Sequence, residues 1–348
     1  MTPRVRVLEV MEPPDGTTRY ADQLVEHLPE SVDIVWFTWR RALTCRYDVL
    51  HVHWPEWLVR TRPSTLPRRL ATRAAFVALM LRLRVTRTAI VRTEHNPEPH
   101  EPGGRTERAL LRWLDRRTSL RVHLNALPGG EGPSDVVIPL GHYREQFGVH
   151  PVSTRVPGLL VYFGKIRDYK GVDLLLEAFA AARADLSLRV VGNPQTPQWR
   201  SLVEDAARAD PRIGYVLEFV ADDTLVAEVT AAELAVLPYR DLHNSSVVLV
   251  ALSLDTPVLI PSTPVTRAIA EEVGPGWVHF FEGTLDTADV HRAVDALRAA
   301  PPTGRPLLDA RAWDVIGASY ARAFAAATRS SALARPSTNH PEPAQIAR

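Results

Sequence analysis

Lysine is almost missing from this chain. Lys165 and Lys170 are the only two among forty-one Lys and Arg residues, and every other positive side chain is arginine. Cysteine is scarcer still. Cys45 stands alone, so no internal disulfide can form and no cysteine zinc knuckle can be built, which fits a reducing cytosol. No apolar run reaches the roughly 18–20 residues that a bilayer span requires. The opening MTPRVRVLEVMEPPDG is too short and too interrupted in its apolar part for a signal peptide. Net charge is lacking as well: 41 basic residues against 40 acidic ones leave +1, which excludes a bulk polyelectrolyte binder. What remains is 45% hydrophobic and 23% charged, the composition of a soluble globular protein, and 348 residues suit two domains. Proline is plentiful at 29 and clusters in ARPSTNHPEPAQIAR, so residues 331–348 are expected to be a disordered tail.

Strand and helix patterns alternate throughout. Strand-like runs are RVRVLEV (4–10), VDIVWFTW (32–39), DVLHVHW (48–54), TAIVRT (88–93), SLRVHLN (119–125) and DVVIPL (135–140), with helical patterns near 18–28, 65–84 and 104–117. The second part continues with LLVYFGKI (159–166), LSLRVVG (186–192), IGYVLEFV (213–220), LAVLPY (234–239) and PVLIP (257–261). Its helices are expected at about 171–184, 196–209, 222–232, 245–254, 264–273 and 287–300. Short Val-, Ile- and Leu-rich runs between helices predict an α/β fold with parallel sheets covered on both faces. HYREQFGVHPVSTRVPG (142–158) follows neither period and holds two prolines, so the interdomain linker falls there, over 146–158. Two Rossmann-like, doubly wound domains are therefore predicted, 1–145 and 159–309, facing a central cleft at the carboxyl ends of their strands.

The two lysines stand five positions apart in GKIRDYKG (164–171). Compact ammonium groups on flexible stems beside Gly164, Arg167 and Gly171 suit a phosphate, and the plain alternative is a solvated loop. A strand ends at Ile166 and a helix starts near Gly171, so Lys165, Arg167 and Lys170 would converge with a helix N-terminus as an anion site. In RDLHNSSVVLVALSL, Asn244, Ser245 and Ser246 fit an N-cap and first turn that present free N–H groups, with simple capping as the alternative. Two anion sites in one domain suit a diphosphate.

These motifs resemble the donor domain of GT-B glycosyltransferases, in particular glycosyltransferase family 4. VLEFVADDTLVAEVTAAELAVLPY is similar to the family's run into its lPs/lPy strand, and ALSLDTPVLIP to the segment written EAMACGxPVVa. WDVIGASYARAF (313–324) resembles the terminal Trp-led helix that crosses back to the first domain, here expected over 310–330. The resemblance covers most of residues 1–330. One departure stands out. Family 4 enzymes carry two glutamates seven residues apart around the donor sugar and ribose, whereas aligning DTPV with GxPV puts Val250 at the second and Leu242 or His243 near the first. PYRDLHNSSVVLVALSLDTPV is more similar to bacterial exopolysaccharide glycosyltransferases, including xanthan-type mannosyltransferases, in which an N-S-G/S element replaces that pair.

The first part supplies three loops at strand ends. The resemblance puts Asp15, Gly16 and Thr17 of MEPPDGTTRYADQL in the glycine loop near the sugar and diphosphate, and makes His95 of RTEHNPEPHEP the histidine that contacts the donor sugar. HVHWPEW carries His51 and His53 on one strand face, then Trp54, Pro55 and Glu56; His51 reads as a buried structural residue. His53, Glu56 and Asn96 are candidates for the acceptor side. An inverting transfer needs a general base, for which Asp15, Glu56, His100 and Glu101 stand as candidates; a retaining transfer needs none. The same histidines permit a metal reading, but it leaves the phosphate loop without a purpose, so no metal is expected. Between Leu58 and Thr93 no acidic residue occurs against nine arginines. The helix there, 65–84, reads either as an ordinary packed helix or as one that docks on an anionic membrane surface. Nucleic acid is not expected, since aromatics are not interleaved with the basic residues.

The expectation is thus a cytoplasmic enzyme, docking at the inner face of the plasma membrane where its basic helix engages lipid. It would move a hexose from a GDP- or UDP-linked nucleoside-diphosphate sugar, as co-substrate and without further cofactor, to a saccharide or lipid-linked saccharide in exopolysaccharide or glycolipid assembly. A catalytically silent sugar-nucleotide-binding protein and a metal-dependent hydrolase are the alternatives.

Overall fold

Every strand among the described residues pairs in parallel, as the short β-branched runs require. The computed structural model describes residues 4–13, 19–61, 65–95, 103–126, 130–240, 242 and 246–333. The chain divides into two compact units, Met1–Pro139 with Asp314–Arg348, and Leu140–Trp313.

In the first unit the strands are β1 (Val5–Val10), β2 (Val32–Trp36), β3 (Val49–Val52), β4 (Ala89–Glu94), β5 (Leu120–His123) and β6 (Asp135–Val137), in the order β2-β1-β3-β4-β5-β6. Its helices are α1 (Arg19–Glu26), α2 (Trp39–Thr44), α3 (Leu66–Thr86) and α4 (Arg105–Arg117). Leu8, Leu50, Val52 and Ile90 are enclosed on the strands, and Phe76, Leu79, Met80 and Leu83 form the buried stripe of α3 that covers them. Strand order reverses direction between β1 and β3, so the carboxyl ends of those two strands form this sheet's topological switch point.

The second unit holds α5 (Arg144–Phe147), β7 (Val156–Phe163), α6 (Val172–Ala180), β8 (Ser187–Val191), α7 (Pro197–Ala209), β9 (Ile213–Val216), α8 (Asp222–Ala231) and β10 (Ala232–Val236). It continues with α9 (Ser246–Ser253), β11 (Val258–Pro261), α10 (Pro264–Val273), β12 (Val278–Phe281) and α11 (Thr287–Ala299). Its sheet runs β12-β11-β10-β7-β8-β9, and its switch point lies at the ends of β7 and β10. The final helix, α12 (Trp313–Leu333), starts with Trp313 in this unit and belongs to the first unit from Asp314 onward.

Four expectations need correction. The strand read over 32–39 stops at Trp36, because the Thr38 hydroxyl accepts the Arg41 N–H at 3.1 Å and caps α2 instead. The stretch read as linker is structured at both ends: α5 reaches into its start, and β7 begins at Val156. There Gly158 N–H donates to the Glu233 carboxylate at 2.5 Å, an anchor far away in sequence. The edge strand β12 was not expected, since four residues carry too little pattern. The helix expected over 310–330 opens with a separate 3-10 turn, Asp309–Arg311, before α12.

Candidate functional site

Each switch point collects polar side chains that the rest of its sheet excludes. In the second unit, β7 ends at Phe163 and the chain turns through Gly164 at φ 116°. The close packing of β8 demands this: a Cβ on Gly192 would lie 1.8 Å from the Gly164 carbonyl oxygen. The loop is held by main-chain bonds from Ile166 N–H to Asn193 O and from Gln195 N–H to Ile166 O. It closes in a 3-10 turn, Asp168–Lys170, and Gly171 starts α6 at φ 66°. A side chain at Gly171 would sit 2.0 Å from Pro238 O, so only glycine lets this turn lie against the end of β10.

That contact sets the environment of Lys170. Its ammonium is buried and donates to the Tyr239 hydroxyl at 2.7 Å, 4.0 Å from the ring centroid. No carboxylate pairs with it among the described residues. Burial first, then the positive Arg167 and Lys165, push its pKa down to about 7. Arg167 is half-buried, and its Nε–H has no partner among the described residues. Lys165 is exposed, and its carbonyl is fixed by the Tyr162 hydroxyl at 3.0 Å. Ser246 opens α9, whose first turn lies against the same loop: a Cβ on Gly164 would be 3.5 Å from Val247 Cγ2. The structure therefore brings Lys165, Arg167, Lys170 and Ser246 to one end of one sheet. Val250 and Leu242 are both buried among apolar neighbours, which explains why neither needs to be polar.

In the first unit, Glu9 on β1 pairs in register with His51 on β3, and His53 follows on the same face. His51 Nδ1–H donates to Glu9 Oε2 at 2.7 Å, and His53 Nε2 lies 3.1 Å from Glu9 Oε1, an ion-pair distance at which neither of those last two atoms makes a hydrogen bond among the described residues. His51 Nε2 meets Thr93 Oγ1 at 2.9 Å, and from there the Tyr320 and Tyr20 hydroxyls continue at 3.1 and 2.7 Å. His53 Nδ1 is 2.9 Å from Nε2 of His95, the residue that follows β4. Glu9, His51 and His53 are enclosed, whereas His95 is partly exposed. Burial alone would raise the Glu9 pKa, but His51 and His53 overcome that and hold it down at about 2. Burial, then His51, lowers His53 to about 4; burial, then His53 and His51, keeps His95 well below the ordinary imidazole value. Trp54 stacks on His95 at 4.7 Å and 15°, and the exposed Trp57 stacks on Trp54 at 5.1 Å, so a ladder of rings leads from the histidine to solvent.

Glu9, His51 and His53 are the one group among the described residues with metal-ligand spacing.

Of the residues expected to act, His53, Glu56, His95, Lys165, Arg167, Lys170 and Ser246 are placed by the structure; Glu56 lies half-buried in the 3-10 turn Pro55–Leu58. Asp15, Gly16, Asn96, His100, Glu101, Asn244 and Ser245 lie outside the described residues. Sequence reasoning passed over Glu9, Tyr239 and the Trp54–Trp57 stack. A lone carboxylate inside an apolar strand run was the available signal for Glu9.

The chain is similar to known proteins in sequence and in fold. The family profile described as Glycosyl transferases group 1 matches residues 157–298. Two GDP-mannose:glycolipid 4-beta-D-mannosyltransferases of Xanthomonas campestris pv. campestris are each 46% identical over 324 residues, covering 92% of this chain and 92% of theirs. Among solved structures, Anabaena HepE in complex with UDP aligns with a TM-score of 0.57 at 15% identity, over 95% of this chain and 98% of that one. AviGT4, a glycosyltransferase involved in avilamycin A biosynthesis, aligns with a TM-score of 0.57 at 13% identity, over 93% and 98%. At such identities these two structures share the fold.

Proposed function

The chain belongs to the group 1 glycosyl transferases and is a GT-B enzyme that moves a sugar from a nucleotide donor to a glycolipid; from that premise we propose that the sugar is mannose, the donor GDP-mannose and the new linkage β. Lys170 is the observation that carries the chemical part. A buried ammonium without a carboxylate partner among the described residues, at the switch point of a parallel sheet, suits an anion that arrives with the substrate. Arg167, Lys165 and the start of α9 at Ser246, together with Asn244 and Ser245, join it on the diphosphate. Together they stabilise the charge that develops as the sugar–phosphate bond breaks. These cations take the part a divalent metal plays elsewhere, so the transfer proceeds without one. In the first unit, Gly16 is assigned to the donor diphosphate, His95, His100, Glu101 and Asp15 are the candidates for catalysis, and His53, Glu56 and Asn96 are those for the acceptor side. The exposed face of Trp57 offers the acceptor's sugar an apolar ring to lie on.

The glycolipid explains the surface of α3. Its solvent side carries a second apolar stripe: Leu66, Leu70, Leu81 and Val85 recur at helical steps and are each more than half exposed. Not all of the nine arginines serve that surface. Arg60 is taken by Glu107, Arg82 by the Cys45 carbonyl and Arg92 by Asp115, and Arg62 lies outside the described residues. Arg68, Arg69, Arg84 and Arg87 are exposed. No helix among the described residues is long and apolar enough to cross a membrane. An anionic membrane surface, the cytoplasmic face, is therefore the partner of α3. Replacing Leu70 and Leu81 by Glu should lower cosedimentation with phosphatidylglycerol-containing vesicles by about tenfold or more. Equal cosedimentation of the variant would remove α3 from membrane docking.

Incubating the enzyme with GDP-[14C]mannose and a glycolipid fraction tests the whole reading. Label should enter the lipid phase equally with and without EDTA. Transfer from UDP-glucose but not GDP-mannose would overturn the donor assignment, and loss of transfer in EDTA would overturn the metal-free chemistry.

A further inference from the structure

Donor binding uses neither Glu9 nor His51, although both are enclosed inside the first unit. Register sets Glu9 of β1 opposite His51 of β3, and His53 follows on the same face. Each of the three residues offers one ligand atom, and these atoms lie within 4.8 Å of one another. Spacing alone does not make a site. The second observation lies between two of the atoms. Glu9 Oε1 and His53 Nε2 face each other at 3.1 Å, are shut off from solvent and make no hydrogen bond among the described residues. Buried polar atoms are nearly always satisfied, so two of them side by side call for a shared partner. A cation that takes a lone pair from each is such a partner. The surroundings have the form of a second ligand shell. His51 Nε2 lies 2.9 Å from Thr93 Oγ1, and His53 Nδ1 lies 2.9 Å from His95 Nε2. Each imidazole thus turns one nitrogen to Glu9 and the other to a polar neighbour, which is how histidines that bind metal are usually held. Rings stand around them: Phe324 and Tyr320 at 5.1 and 5.5 Å from His51, and Tyr20 at 5.8 Å from His53. All of these residues belong to the first unit.

We propose that Glu9, His51 and His53 form a zinc site that ties β1 to β3 inside the first unit. Two imidazoles and one carboxylate suit zinc better than magnesium or calcium, which prefer oxygen donors throughout. Zinc draws such atoms to about 2.0–2.2 Å from itself and keeps a fourth position for water. On binding, His51 gives the metal its Nδ1 lone pair, and the proton it held there moves to Nε2, where Thr93 Oγ1 accepts it. His53 binds through Nε2 and keeps its proton on Nδ1, facing His95 Nε2. The sequence argued against a metal because it left the phosphate loop without a purpose. That objection lapses here, since the histidines and the lysines belong to different units. The zinc takes no part in breaking the sugar–phosphate bond, which the cations of the second unit serve. His53, enclosed as it is, serves the acceptor side through Trp54, whose ring lies 5.7 Å away, rather than by touching sugar.

Full-length, tag-free protein, stripped with dipicolinate and then titrated with zinc chloride alone, tests the proposal. One zinc per chain should remain after desalting, read by mass spectrometry of the metal. Zinc at a hundredfold excess over its Kd should raise the unfolding temperature by about 5–10 °C. X-ray absorption at the zinc edge of the wild-type protein should show nitrogen and oxygen ligands alone, at about 2.0–2.2 Å, two of them imidazoles. That readout needs no variant, so no folding defect can blur it. Glu9→Gln removes the charge with little change of shape and should weaken zinc binding by about 100-fold or more. Thr93→Val takes the acceptor away from His51 and should weaken it by about 10- to 100-fold. Wild-type protein that retains no zinc, a sulfur ligand in the spectrum, or zinc affinity unchanged in either variant would overturn the site. None of these readouts depends on transfer. Protein that binds zinc as expected and moves no mannose counts against the proposed function alone.

Discussion

Replacing Lys165 and Lys170 together by alanine is expected to weaken GDP binding roughly 100- to 1,000-fold. A charge-assisted hydrogen bond to phosphate contributes about 1.5–3 kcal/mol, so two of them would amount to about two to four factors of ten, and screening of the exposed Lys165 keeps the sum toward the lower end. Most of the loss should come from Lys170. Lys165 is exposed, so salt and water screen it, whereas Lys170 is buried beside Tyr239 with no carboxylate partner among the described residues. The same burial gives the site a pH dependence whose sign is determined. Without ligand, Lys170 titrates near pH 7, and a bound diphosphate favours its charged form. Below pH 7 the ammonium is already present and affinity should be flat. Above pH 7 binding takes up a proton, so affinity should fall by up to about tenfold per pH unit until the pKa of the complex is reached. Calorimetric titration with GDP between pH 6 and 9, in buffers of differing ionisation enthalpy, reads both the affinity and the proton. Lys170→Ala should abolish the slope. Retention of the slope in that variant, or wild-type affinity in the double variant, would mean that the diphosphate binds elsewhere.

Trp313→Ala is expected to cost about 3–5 kcal/mol of stability, the usual penalty for emptying a large enclosed aromatic site. Trp313 is enclosed at the last position of the second unit, and its Nε1–H donates to His142 O at 2.6 Å. Gly141 lies flat beneath the indole, since a Cβ there would come within 2.2 Å of Trp313 Cε2. Trp313→Phe keeps part of the ring but leaves the His142 carbonyl without its donor. It should cost less, about 1–3 kcal/mol from the lost bond. The urea midpoint of unfolding should rank wild type, Phe and Ala in that order. Equal midpoints for Phe and Ala would mean that the hydrogen bond dominates over packing at this residue.

Donor chemistry was more legible in the sequence than acceptor chemistry, for a physical reason. GKIRDYKG is a contiguous stretch, so its glycines, cations and strand-to-helix junction announce an anion site before anything is folded. Glu9, His53 and His95 are brought together from three strand segments separated by some forty residues at each step, and no local pattern joins them. His53 and His95 drew notice as polar residues at strand ends, but their electrostatic setting depends on a carboxylate that reads as an interruption of an apolar run. Arginines 60, 82 and 92 show the converse. Each counted toward a basic patch by composition, and each is occupied by a partner that only folding brings near.

Alternation of β-branched runs with amphipathic helices was enough to establish two parallel α/β sheets, because side-chain period is a property of local backbone geometry and survives any tertiary context. Resemblance over most of the chain was enough to establish a GT-B glycosyltransferase, because the motifs that carry it are contiguous stretches of the chain. Three-dimensional packing decided the rest. It made Lys170 a buried cation, by pressing Gly171 against Pro238. It set Glu9 opposite His51 and within reach of His53, through strand register. It left one stripe of α3 apolar and open to solvent while the other packs into the core. Burial and register are relations between distant residues, and both the charge of Lys170 and the pairing of Glu9 with His51 depend on such relations rather than on neighbours in the chain.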